Sequence, residues 1–242
     1  MDAFRAGVSW LLDGSNWSGT DGLTQQLVEQ VLLTVTSLVI ATLVALPVAL
    51  WLGHLGRGGA LAINVSNIGR AVPTFAVLVL LSVGPLGTDR LGPYGRAGLA
   101  TLVSLVLFAL PPIITNAYVG MREVDREIVE AARGMGMNGA RLFRRVELPL
   151  ALPLIMTGLR LALVQVWATA TIAALVAGPG LGNTITAGFA NDDSDRVIGG
   201  AIVVALIAVA LEGFASVAER TLDPVRRVRR VASVRVAEPL AA

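Results

Sequence analysis

The chain has 242 residues, of which 55% are hydrophobic and 15% charged, and its mean hydropathy is +0.72. That balance excludes an ordinary soluble domain and points to an all-α polytopic membrane protein. The net charge is only +2, all nineteen basic residues are arginines gathered at loops and the tail, and there is no cysteine; this argues for membrane orientation over nucleic-acid binding and removes any disulfide framework.

Residues 1–26 read as a polar, extracytoplasmic lead. Ser9-Trp10-Leu11-Leu12 is too short to span and lacks a strongly basic flank, so no cleavable signal peptide is expected. Trp10 and Trp17 suit the membrane interface, while the first several residues read equally well as an unstructured end. Residues 27–55 form the first predicted span, with Pro47 inside and a short basic turn after it from His54 to Gly59. Residues 60–83 form the second, carrying Asn64, Asn67 and Arg70 before Ala71-Val72-Pro73-Thr74. Two readings stay open there: a broken helix lining a cavity, or a tolerated proline beside a snorkelling arginine.

A Gly/Pro loop containing Asp89 covers 84–96, and the third span, 97–119, is expected to be interrupted at Pro111-Pro112. After the charged loop, 150–176 is the fourth span, with Pro153, Arg160, Gln165 and Trp167. Residues 177–182 read as a flexible glycine-rich turn, and an acidic loop, Asp192 to Asp195, precedes the fifth span at 197–217. Residues 220–242 form a basic tail. Arginine-rich 121–147 and the tail belong on the cytoplasmic side, with the N-terminus outside. Five spans satisfy this alternation, and a sixth would have to come from the short run near Trp10.

The loop itself reads as structure. Asp125 can cap a helix with Glu127 and Glu130 near its first turn, and Ile128, Ala131, Ala132 and Met135 recur at helical spacing. Gly134 and Gly136 break or tighten the chain, letting another protein approach the backbone. Asn138 can cap a second piece in which Leu142, Phe143 and Val146 are apolar, and Leu148-Pro149 opens the next span.

No catalytic constellation appears. The single histidine and absent cysteines leave no metal site to expect, and Gly178-Pro179-Gly180-Leu181-Gly182 lacks the Lys-Ser/Thr of a phosphate-binding loop. The chain is therefore expected not to be an enzyme and to need no cofactor. Arg70, Arg160 and Glu212 lie nearer predicted cytoplasmic ends than the membrane centre, so snorkelling or an interhelical pair fits better than a proton relay. This weakens an ion-coupled secondary transporter as the alternative.

Glu130, Ala131, Ala132, Gly136, Leu148 and Pro149 stand at the spacing of the EAA motif, with Val146 where isoleucine is usual; the loop resembles that of ABC importer permeases. The stretches 70–76, 110–118, 131–137 and 178–182 extend the resemblance over most of the chain, toward the permeases of glycine betaine, carnitine and choline importers. The resemblance implies a type I importer fold with a permease domain over 27–219 and a coupling loop at 121–149. It implies that Glu130, Ala131, Ala132, Gly134, Gly136, Val146, Leu148 and Pro149 engage a separate ATP-binding subunit. It also implies an extracytoplasmic substrate-binding protein and a second permease subunit, identical or homologous. Pro73, Thr74, Asn116, Gln165 and Trp167 are the expected pathway residues, each with a competing reading as a helix-packing residue. Import of a compatible solute is the leading expectation, and import of another small polar solute such as methionine is the alternative.

Overall fold

The computed structural model describes residues 2–87, 94–95 and 97–222, without the side chains of residues 2, 61, 63, 66 and 70. Asp89, the Arg70 side chain and the tail beyond residue 222 therefore lie outside the described residues. Every regular element among the described residues is helical.

The lead is more than a polar extension. Asp2–Leu12 forms helix α1, which packs on the last helix of the chain. Gly7 permits the approach, since a Cβ there would lie 2.5 Å from Ile198 Cγ2. The open carbonyls at the end of α1 are closed by side chains from the following turn. Trp17 Nε1 donates to Leu11 O at 2.7 Å and Asn16 Nδ2 to Trp10 O at 2.8 Å.

Helix α2, Leu23–Leu55, has 33 residues and runs through Pro47. At 1.5 Å per residue it is about 50 Å long, more than the ~30 Å hydrocarbon core requires. Ser37, Ala41, Ala45, Ala49 and Gly53 recur every fourth residue and are all buried. This small-residue stripe lets α5, Gly98–Arg122, approach closely; a Cβ on Gly53 would stand 2.5 Å from Met121 Cβ. Gly56, at φ +66°, ends α2 in the left-handed conformation, and Gly58, at φ +82°, completes the reversal.

The second span is a broken helix. Helix α3, Gly59–Ala71, and helix α4, Thr74–Val83, are separated at Val72-Pro73. Pro73 forces its predecessor out of helical geometry, and Val72 is extended at φ −77°, ψ 121°. Helix α5, by contrast, passes through Pro111 and Pro112 without the expected interruption. Asn116 Nδ2 donates to the Pro112 carbonyl at 2.8 Å, a side-chain bond one turn beyond the proline pair.

The charged loop contributes helix α6, Arg126–Gly134, and the short helix α7, Gly139–Leu142. A π turn, Phe143–Glu147, joins α7 without a gap to α8, Leu148–Ile172. A short 3-10 turn follows, then helix α9, Gly182–Ala190, and helix α10, Ser194–Leu222. Four helical runs are long and apolar enough to cross a membrane: Leu23–Leu55, Gly98–Arg122, Gly139–Val176 and Ser194–Leu222. The second predicted span, 60–83, corresponds to the α3–α4 pair, two helices each shorter than a full span.

Helices α2, α5 and α8 form the centre. Leu33, Ala41, Leu105, Ile113, Ala162 and Val166 make its main core. A second cluster at the loop end joins Ala49, Ala117, Met121, Ala151 and Ile155, with Phe143 and Leu148 packed on it. Along α2 and α10, Val35, Leu43, Trp51, Leu206, Val209, Phe214 and Val217 point outward, as an apolar solvent allows.

The turn after α8 corrects the flexible reading. Residues 178–182 are buried and held by two glutamines from the start of α2. Gln30 Oε1 accepts from Leu181 N at 2.8 Å, and Gln30 Nε2 donates to Thr171 Oγ1 at 2.9 Å. Gln26 Oε1 accepts from both Thr184 N, at 3.1 Å, and Thr184 Oγ1, at 2.7 Å. Gly180 sits at φ +117°, and a Cβ there would lie 2.9 Å from Gln30 Oε1. Helix α9 then packs on α10, where 183–189 has no predicted helix in the sequence reading.

Candidate functional site

The loop is built as its sequence suggests. Asp125 Oδ1 accepts from Glu127 N at 2.8 Å, closing the N-terminus of α6. Its C-terminus closes in a Schellman arrangement: Met137 N donates to Ala132 O at 3.2 Å and Gly136 N to Arg133 O at 2.9 Å. This geometry places Gly136 at φ +84°, where a side chain is strained. A Cβ at Gly136 or Gly134 would meet nothing within 4 Å, so the strain is conformational only. Asn138 Oδ1 then caps α7 by accepting from Arg141 N at 2.9 Å.

The faces of α6 differ from a simple inward apolar stripe. Ala132 is buried at 2% exposure, while Ile128 is 46% and Met135 74% exposed, and Ala131 and Glu130 are exposed with them. Ile128, Ala131 and Met135 thus face outward beside the open glycines, while Ala132 of the motif turns inward. Val146 and Leu148 are half-buried, and Leu148 packs on the loop-end cluster. Pro149 stands in the first turn of α8, directly after the π turn, and its missing N–H leaves one bond out of the helical ladder that runs on from α7.

A cavity of about 400 Å³ opens in the membrane-spanning part, between α5 and α8 near α3. Asn116 lines it from α5 with Pro111, Pro112 and Thr115, Gln165 lines it from α8 with Leu161 and Val164, and Gly69 of α3 also borders it. Two of the five expected pathway residues thus come together. Pro73 and Thr74 sit at the helix break and are not among the residues lining this cavity. Trp167 lies elsewhere: it is 1% exposed, packs with Leu23, Leu181 and Val203, and donates from Nε1 to Val204 O at 3.2 Å. Its role in this structure is to pin α8 to α10.

Arg160, Glu212 and Glu219 form an interhelical cluster. Arg160 Nε donates to Glu212 Oε1 at 2.7 Å, Arg160 Nη1 donates to Glu219 Oε2 at 3.0 Å, and Nη2 also reaches Glu212. Thr157 Oγ1 donates to Glu219 Oε1 at 3.0 Å. One guanidinium therefore serves two carboxylates and ties α8 to α10, the pairing expected of charges in such a position. At the opposite end of the fold from the charged loop, a second cavity of about 420 Å³ lies between Trp10, Asp21, Thr184, Asp193 and Arg196.

Two features escape a reading by motif. Gln26 and Gln30 carry a signal, two amides one turn apart opening an apolar helix, but their partners are more than 130 residues away. The lone histidine, His54, bonds the buried Glu147 through Nδ1, and nothing in local sequence links the two.

These elements define a class: a multi-pass helical permease, with a capped helical loop projecting from one end of the bundle. Residues 27–224 match the family of binding-protein-dependent transport system inner membrane components, and the chain belongs to that family. It is 32% identical over 196 residues to the choline transport system permease protein OpuBB of Bacillus subtilis (strain 168), covering 81% of this chain and 86% of that protein. It is 33% identical over 201 residues to the carnitine transport permease protein OpuCD of Listeria monocytogenes serotype 1/2a, covering 82% and 86%. A shorter stretch of 116 residues is 40% identical to the ergothioneine transport permease/ergothioneine binding protein EgtU of Helicobacter pylori, covering 48% of this chain and 21% of that protein. Among solved structures, the inward-facing MetNI methionine ABC transporter superposes with a TM-score of 0.69 at 20% identity, covering 83% of this chain and 95% of that one. The fold is that of a type I ABC importer permease.

Proposed function

We propose that this chain is the permease subunit of an ATP-driven importer for a trimethylammonium solute of the glycine betaine, choline or carnitine kind. The observation that carries the energy-coupling part is the outward face of α6. Ile128, Ala131 and Met135 offer a small apolar surface, Glu130 stands beside it, and Gly136 closes the helix without a side chain in the way. Such a surface suits the cleft of a separate ATP-binding subunit, which performs the hydrolysis. Val146, Leu148 and Pro149 carry the loop's displacement into α8.

The mechanism follows from that arrangement. Two permease chains, identical or homologous, enclose the pathway. Closure of the ATPase pair draws the two loops together and rocks the spans from inward- to outward-facing. An extracytoplasmic binding protein docks near the cavity bounded by Trp10, Asp193 and Arg196 and delivers solute. Selectivity resides mainly in that protein, where an aromatic cage suits a quaternary ammonium. The chain need only offer a weak passage, and Asn116 and Gln165 supply its polar groups. The charged loop and the C-terminus face the cytoplasm, and the N-terminus faces outside.

The substrate class rests on the relatives, one named for choline transport and another for carnitine transport. A second reading, ergothioneine, draws on the 40% identity to EgtU. Ergothioneine is also a trimethylammonium betaine, so both readings ask the same of the passage. Uptake of labelled choline, glycine betaine, carnitine and ergothioneine in cells with and without this chain, partners present in both, separates them. Loss of the first three without the chain supports the proposal; loss of ergothioneine uptake alone transfers it to the second reading. Orientation has its own test, because the chain has no cysteine. A cysteine at exposed Asn191 should react with an impermeant reagent from outside, and one at exposed Gly134 only after the membrane is opened.

A further inference from the structure

We propose that His54 and Glu147 form the joint through which movement of the charged loop reaches α2. The inference rests on the reading of that loop as the ATPase dock. Glu147 is the last residue of the π turn between α7 and α8 and is only 6% exposed. A carboxylate so enclosed is costly unless a donor meets it. The donor comes from another element: Nδ1 of His54, in the last turn of α2, bonds Glu147 Oε2.

The imidazole is held by the loop at two places. The ring stands edge-on to Phe143, with centroids 5.6 Å apart at 77°. Its Nε2 edge looks toward Gly139, the first residue of α7, where a Cβ would lie 3.7 Å away. Glu147 takes the remaining nitrogen. His54 is therefore rooted in α2 but enclosed by Gly139, Phe143 and Glu147. A cavity of about 230 Å³ adjoins the pair, and its other charged walls are Arg122 from the end of α5 and Arg126, Glu130 and Arg133 from α6. Glu130 of the docking face and Glu147 of the joint thus line one small space.

What lies beyond the joint gives it a consequence. Two residues after His54 the chain enters the left-handed Gly56 and Gly58 turn, then α3, whose Gly69 borders the membrane cavity. A pull on His54 acts at this pivot. Without the joint, the loop still joins α8 covalently, but α2 and α3 receive its motion only through packing.

The test uses the assembled complex of permease, ATPase and binding protein in proteoliposomes, reading solute moved per ATP hydrolysed. Glu147→Ala and His54→Ala should keep the ATPase bound and hydrolysing, yet lower that ratio about fivefold or more, the scale of an allosteric coupling. The double variant should be no worse than either single one, because both remove the same link. His54→Asn, which keeps an N–H donor near the Nδ1 position, should recover most of the ratio. To remove folding as an explanation, His54→Cys with Glu147→Cys is bridged by a short reducible bis-thiosulfonate linker. Bridging should raise the ratio and reduction should lower it again in the same molecules. Single variants within twofold of wild type, or a bridged pair that responds to neither step, would overturn the joint. Glu130→Arg run in parallel tests the dock itself: if it leaves ATPase binding intact, the underlying reading fails; if it abolishes binding while the joint variants stay silent, only the joint fails.

Discussion

Replacing Gly136 with alanine should weaken ATPase docking by a calculable amount. Gly136 occupies φ +84° as the residue after the end of α6. A side chain in that conformation costs roughly 1–2 kcal/mol. Nothing lies within 4 Å of the new Cβ, so no clash adds to this figure. Helix α6 has only nine residues and cannot absorb the loss by cooperativity of its own. The closed-to-open ratio of the loop should therefore fall by about 5–30-fold, and the apparent affinity for the ATPase should fall by up to the same factor, the full factor applying where docking itself has to close the loop. Asparagine tolerates the left-handed region better, so Gly136→Asn should cost clearly less than Gly136→Ala. Titration of purified ATPase onto permease in nanodiscs measures both. Gly213→Ala, in α10 with open space around it, is the control and should leave affinity unchanged. Wild-type affinity for Gly136→Ala, or an asparagine variant as weak as the alanine one, would refute the reasoning.

Glu130→Arg reverses a charge on an exposed face, so it should abolish ATPase copurification while expression and thermal stability stay near wild type; a drop in stability alone would mean that the residue is structural. Gln30→Leu strands the buried Leu181 N–H and should destabilise by about 1–3 kcal/mol, seen as a lower Tm in detergent. An unchanged Tm would show the clamp to be dispensable. Arg160→Met leaves two carboxylates on one face of α10 without their counter-charge, whereas Glu212→Gln leaves Arg160 paired with Glu219. The arginine variant should therefore lower Tm more than the glutamate variant, and the reverse order would contradict the cluster as described.

Much of this architecture is written locally. The apolar runs at 27–55, 97–119, 150–176 and 197–217 each became a long helix, because a span's length and composition answer directly to the bilayer. The break at Pro73 and the caps at Asp125 and Asn138 were equally local, since proline geometry and Asx side chains act within a few residues. What escaped was built by distant partners. Gln30 reaches Leu181 across 151 positions, and His54 reaches Glu147 across 93. The same limit explains Trp167. A tryptophan near polar Gln165 suggests a passage, yet only the placement of α10 and the lead turns it inward to Val203 and Leu23. Pro111-Pro112 looked like an interruption because proline alone was weighed; α5 nonetheless runs through both, packed between α2 and α8.

The central claim is transport driven by ATP through this chain, and one measurement addresses it directly. Purified permease is reconstituted with its ATPase and binding protein, and labelled choline or glycine betaine accumulation is followed with ATP on the loop side. ATP should drive accumulation with no ion gradient present, and Glu130→Arg should abolish it. Accumulation that follows a sodium or proton gradient and ignores ATP would contradict the account.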